Sequence, residues 1–143
     1  MATFPVKLKL RLDWSEMDLF GHINNVSYFK YIQASRVNYW ETIGLTRLHA
    51  NVGLGPMLAA TSCQFLKPLH YPGNIIIQAS VVEIKTTSFR IQHQIIDTGH
   101  EIAAEAEDII VMYDFKKNEK MAIPGDIRKK IEQLEGVNFR VSQ

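Results

Sequence analysis

The sequence predicts an α+β fold, and three observations carry that prediction. A strictly alternating apolar stretch near the N-terminus is followed by one long stretch with helical periodicity, and then by four consecutive β-prone stretches. The simplest arrangement that covers every apolar face is a five-stranded antiparallel sheet wrapped around a long central helix, with a short C-terminal helix to one side.

The first strand is predicted over residues 6–13, where Val6, Leu8, Leu10 and Leu12 alternate with Lys7, Lys9, Arg11 and Asp13. A polar loop then leads to Asn24 and Asn25, either of which suits a helix cap because its side-chain oxygen accepts from a backbone N–H of the first turn. The helix is expected over residues 26–43 and stops at Gly44. Phe29, Ile32, Trp40 and Ile43 form its apolar side, with Tyr39 flanking and Lys30, Ala34, Asn38 and Glu41 opposite. Arg36 falls inside that apolar face, so it must either snorkel to solvent or pair with a carboxylate; Asp13 and Glu16 are the expected partners.

Residues 46–55 read as a connector closed by Pro56. Strands are then expected over residues 57–66, 74–85, 88–96 and 101–115, with Asp97-Thr-Gly-His100 as a hairpin turn. Beyond Pro124-Gly125, Asp126 caps a short helix with Ile127, Ile131 and Leu134 on one stripe, ended by Gly136. No internal repeat interrupts the pattern, and one domain over residues 1–143 is expected.

Composition narrows the function classes. With 143 residues, 46% hydrophobic and 22% charged, the chain is of a size to bury a core. A formal net charge of +1 without blocks of like charge predicts no nucleic acid and no membrane as partner. Residues 1–5 lack the basic and apolar regions of a leader, and no apolar run approaches the ~20 residues of a membrane span, so a cytoplasmic protein is expected. The lone cysteine, Cys63, is read as a buried strand thiol. G-x-S-x-G, H-E-x-x-H, C-x-x-C and phosphate-loop patterns are absent, and the five histidines show no ligand spacing, so no metal is expected.

The chemistry concentrates in Asp18-Leu-Phe-Gly21-His22-Ile-Asn24-Asn25, where a carboxylate immediately precedes a helix N-terminus. Unpaired N–H groups and the positive end of the helix dipole there suit stabilisation of an oxyanion. From the residues alone, Asp18 is equally an Asx-turn aspartate or a catalytic carboxylate, and Tyr28 either lines a pocket or joins the core.

The pattern D-x-x-G-H-x-N-N-x-x-Y formed by Asp18, Gly21, His22, Asn24, Asn25 and Tyr28, with Arg36 on the helix, resembles the 4-hydroxybenzoyl-CoA thioesterase-like branch of the hotdog-fold acyl-CoA thioesterases. The resemblance extends through Gly53-Leu-Gly-Pro56, Phe65-Leu-Lys-Pro68-Leu-His-Tyr-Pro72 and Thr87-Ser88-Phe89. It implies a hotdog fold and hydrolysis of an acyl-CoA, with coenzyme A as part of the substrate and no separate cofactor. It also implies a homo-oligomer, dimer or tetramer, with active sites between subunits. Asp18 becomes the nucleophile or general base and the backbone N–H of Asn25 the oxyanion donor. Gly21 and His22 join the catalytic loop, Gly21 by allowing a positive φ or a close approach of substrate to backbone and His22 by orienting the loop or touching substrate, and Tyr28 lines the acyl pocket. The turn of Lys85, Thr86, Thr87, Ser88 and Arg90 receives the nucleotide. One departure stands out: many relatives carry a glutamate three residues before the helix arginine, where this sequence has Gln33. The competing readings are an enoyl-thioester hydratase or dehydratase on the same fold, and a non-catalytic acyl-CoA-binding module.

Overall fold

The computed structural model describes residues 3–139; residues 1–2, on which part of the leader reading rests, lie outside them. The elements in order are β1 (Val6–Arg11), a 3-10 turn (Trp14–Glu16), α1 (Asn25–Thr42), α2 (Leu45–Val52), β2 (Leu54–Phe65), β3 (Asn74–Ile84), β4 (Ser88–Ile96), β5 (Ile102–Asp114), β6 (Glu119–Lys120) and α3 (Gly125–Glu135). The long strands form one antiparallel sheet in the order β1-β3-β4-β5-β2, curled around α1, which is the hotdog arrangement. The two-residue β6 adds a sixth, short strand beside β5 that the alternation pattern is too brief to reveal.

Two elements correct the sequence reading. Residues 46–55 are not a plain connector, because α2 occupies Leu45–Val52 between Gly44 at φ 83° and Gly53 at φ 74°. Those left-handed positions favour glycine, and the glycines mark the ends of a two-turn helix that buries Leu45. The buried stripe of α1 is also rotated from the predicted one. Tyr28, Tyr31, Ile32, Ser35, Arg36 and Tyr39 face inward, while Phe29 and Trp40 are only partly buried. Tyrosine can be buried where its hydroxyl has a partner. Tyr31 donates to Glu16 at 2.8 Å, Tyr39 donates to Glu135 at 2.6 Å, and Tyr28 reaches the backbone near Leu69.

Arg36 pairs with neither Asp13 nor Glu16. Asp13 caps the 3-10 turn by accepting from Ser15, and Glu16 accepts from Lys30, Tyr31 and Ser27. The guanidinium instead crosses to the middle of β5, where its Nε donates to Asp108 Oδ2 at 2.9 Å and its Nη2 to Oδ1 at 3.3 Å. His93 on β4 joins the same carboxylate through Nε2 at 2.7 Å, and Nδ1 meets Ser35 Oγ at 2.9 Å. The four side chains are buried, so this Ser–His–Asp alignment has no opening for a substrate and works as a polar clamp between α1, β4 and β5. Burial pushes the Asp108 carboxyl up, but the bonds from His93 and Arg36 more than offset it and hold its pKa below the usual range.

A pH dependence follows. A carboxyl whose pKa is depressed by folding contributes stability that is fully present above its unfolded value of about 4 and is lost as pH falls through the folded value. Glu16, also depressed once Lys30, Tyr31 and Ser27 outweigh its burial, adds to the same trend. Urea midpoints are expected to decline on acidification below about pH 4, less steeply in Asp108→Asn; an equal acid slope in that variant would remove Asp108 from the account.

α1 covers β1, β3 and β4 and leaves β2 at the far edge of the sheet, largely exposed along its length. Cys63 therefore sits in a strand as expected but is only partly covered. No described helix is long and apolar enough to cross a membrane.

Candidate active site

The loop before α1 is a small, internally bonded structure. Met17 and Ile23 form an antiparallel bridge, Asp18 N–H donates to His22 O at 2.6 Å, and Gly21 N–H donates to Asp18 O at 3.2 Å. Gly21 has φ 82° and nothing within 4 Å of a built Cβ, so the backbone conformation, not crowding, calls for glycine there. Inside this turn Asp18 Oδ1 accepts from Phe20 N–H at 2.9 Å and His22 N–H at 3.1 Å. Among the described residues no hydrogen bond engages Oδ2. Asp18 is thus an Asx-turn residue in geometry, and the turn fixes the carboxylate while leaving one oxygen available.

Asn24, not Asn25, caps α1: its Oδ1 accepts from Ser27 N–H at 2.9 Å and its Nδ2 donates to Glu16 O at 2.8 Å. Asn25 is the first helical residue, where a backbone N–H has no intrahelical acceptor, and none is found among the described residues. Asp18 and Asn25 line the same cavity of about 340 Å3 with His22, Ile23, Tyr28, Phe65, Leu66, Lys67 and Pro68. The turn carboxylate and the first residue of α1 therefore belong to one hollow, which Ile23, Tyr28, Phe65, Leu66 and Pro68 line with apolar surface. The His22 ring stands edge-on to His70, with centroids 4.8 Å apart. Residues 65–68, which supply one wall, were part of the resemblance but not of the predicted site; the only available signal was Lys-Pro directly after a strand.

Tyr28 is among the residues lining the cavity, yet its hydroxyl is not free for a ligand. It donates to Lys67 O at 3.1 Å and accepts from Leu69 N–H at 3.0 Å. Gln33 is exposed and lines a different groove, between α1 and β1.

The Lys85–Arg90 turn is not brought to this cavity within one chain. β5 pairs with Phe65 at Ala104 and with Ser88 at Val111, so the two ends lie seven residues apart along β5, about 23 Å at the usual strand rise. Arg90 is held by Glu83 at 3.4 Å and Glu107 at 3.6 Å. The carbonyls of Lys85, Thr86 and Thr87 are taken by Arg128, Ile123 and Met112. Lys85 and Thr86 remain exposed, and Ser88 O accepts from Lys85 N–H at 2.7 Å. Among the described residues no cluster of three His, Cys, Asp or Glu suits a metal ion.

The thioesterase-like superfamily model matches residues 12–131 of this sequence. The chain belongs to the thioesterase-like superfamily. It is 31% identical, over 127 residues, to the chloroplastic acyl-acyl carrier protein thioesterase ATL3 of Arabidopsis thaliana; the match covers 87% of this chain and 65% of that protein, so the chain spans just under two thirds of the relative's length. A Thermus thermophilus thioesterase complexed with coenzyme A and Zn superposes with a TM-score of 0.82 at 24% identity, covering 95% of this chain and 98% of that one. A thioesterase superfamily structure from a Jannaschia species superposes at 0.85 with 20% identity, covering 94% and 85%. At these identities the two structures speak for the fold.

Proposed function

We propose that this protein hydrolyses an acyl thioester, with coenzyme A as the carrier, to free acid and thiol. The observation that carries the reading is Asp18: an Asx turn anchors one carboxylate oxygen and leaves the other unengaged, and Asp18 lines one cavity with Asn25, the first residue of α1. In the proposed reaction the thioester carbonyl lies between these two groups. Asp18 either attacks the carbonyl carbon, so that the C–S bond breaks, thiolate leaves and water hydrolyses the mixed anhydride, or takes a proton from the attacking water. The Asn25 N–H and the helix N-terminus stabilise the oxyanion in both routes. Ile23, Tyr28, Phe65, Leu66 and Pro68 supply apolar contacts for the acyl group. The family match and the coenzyme A complex of the Thermus relative support the substrate class.

The carrier end of the substrate meets a second chain in this reading. β2 is a twelve-residue edge strand with Met57, Leu58 and Phe65 exposed, a surface that unassembled proteins rarely leave open. Antiparallel pairing of two β2 strands carries the Lys85–Arg90 end of one protomer toward the Asp18 end of its partner, closing the ~23 Å gap of the single chain. A dimer or tetramer is expected in sedimentation, and a species of one chain's mass at micromolar concentration would overturn the composite site. Because Arg90 is already paired, Lys85→Ala is expected to raise KM for acyl-CoA several-fold at low salt with kcat little changed.

Release of free thiol from a panel of aliphatic and aryl acyl-CoAs tests the reaction. Tight binding of the panel without thiol release would favour a binding module, and water addition to an enoyl-CoA with the thioester intact would favour a hydratase.

A further inference from the structure

We infer that Tyr28 is a positioning residue whose hydroxyl sets the width of the acyl pocket, and through it the acyl selectivity of the thioesterase activity proposed above. The strap of residues 66–69 leaves the sheet after Phe65, and its Leu66, Lys67 and Pro68 line the cavity together with Asp18. At its start Leu66 and Lys67 N–H groups share one acceptor, Ala103 O, at 2.9 and 3.0 Å. Past that point, the two backbone groups flanking Pro68 meet a single side chain. Tyr28 O–H donates to Lys67 O, and the same oxygen accepts from Leu69 N–H. Pro68 has no N–H of its own to anchor the strap.

The far end is tied to the loop that carries Asp18, since Ile23 N–H donates to Leu69 O at 2.8 Å. The outer tether, Lys67 Nζ to Asp97 at 3.2 Å and Glu101 at 3.0 Å, is an ion-pair network whose Lys67 and Glu101 ends are exposed, so solvent screens much of it. Tyr28 is therefore the fixed point in the middle of the wall, between the Ala103 and Ile23 anchors at its two ends. It lies three residues after Asn25 on the first turn of α1, so one helical turn both contributes Asn25 to the cavity lining and holds the strap that lines it. Its ring is buried and stacks edge-on to Phe65 with centroids 5.0 Å apart. Burial pushes its pKa up, which keeps the phenol protonated and able to donate. With donor and acceptor both engaged, the hydroxyl acts on a substrate only through the strap.

Tyr28→Phe tests this, because it keeps the ring and removes the oxygen. Leu69 amide exchange is expected to accelerate. Both hydrogen bonds to the strap are lost; KM for the preferred acyl-CoA should rise roughly five- to tenfold as the wall loosens, with kcat changed less than twofold because Asp18 and Asn25 keep their own anchors. The spread of kcat/KM across short, long and aryl acyl groups should narrow. Pro68→Gly loosens the same strap without touching α1, should reproduce the narrowing, and replaces Tyr28→Phe if that variant does not fold. A folded variant with unchanged KM and unchanged acyl ranking overturns the inference, whether or not Leu69 exchange quickens, since a merely structural tyrosine lowers the melting temperature alone. If the wild type releases thiol from no acyl-CoA, the thioesterase reading itself fails and the selectivity role falls with it.

Discussion

Replacing Asp18 with Asn should lower kcat for acyl-thioester hydrolysis by at least ~10²-fold and leave the melting temperature nearly unchanged. The amide keeps the size of the carboxylate, and its oxygen can still accept from Phe20 and His22 N–H, so the Asx turn survives. What disappears is the anionic oxygen, and with it both the nucleophile and the base. Two controls separate this from general damage to the loop. Asp13→Asn weakens the cap of the 3-10 turn, and Glu16→Gln disturbs the cluster with Lys30, Tyr31 and Ser27. Both should reduce stability more than turnover. Near-normal kcat in Asp18→Asn, with activity abolished by either control, would move the acid elsewhere in the structure.

The largest stability effect is expected at Asp108. Asp108→Asn leaves the Arg36 guanidinium buried without a counter-charge, and breaking a buried pair in this way costs about 3–5 kcal/mol. The amide must also satisfy His93 Nε2 with an oxygen that no longer carries charge. The double variant Arg36→Met with Asp108→Asn should recover a substantial part of the loss, because the orphaned charge is gone. Urea denaturation of the single and double variants reads this directly. A loss under about 1 kcal/mol in Asp108→Asn would mean that Arg36 reaches solvent when its partner is removed.

The fold was legible because most of it is local. Alternation over residues 6–13, β-branched runs and the glycine and proline stops are properties of neighbouring residues, and Ser88–Ile96 falls where its pattern ends. The rotated face of α1 was not legible for the complementary reason. A tyrosine at positions 28, 31 or 39 is inward only if a distant atom receives its hydroxyl, and those atoms lie on the strap, the 3-10 turn and α3. α2 is not legible in the sequence because two glycines with eight residues between them read as a loop until their left-handed conformations are seen.

For the candidate site the division is similar. The sequence by itself determined the carboxylate, the turn glycine and the helix start that share one loop, because the eight residues from Asp18 to Asn25 cannot separate far, and it determined that Arg36 must either reach solvent or find a carboxylate. Tertiary structure alone decided which anion, Asp108 across the sheet in place of Asp13 or Glu16 nearby. It also decided that residues 65–68 wall the cavity and that the Lys85–Arg90 turn stands at the opposite end of the sheet. Such pairings depend on strand order and register, which long-range packing sets once the chain has closed, and no short stretch of sequence encodes them.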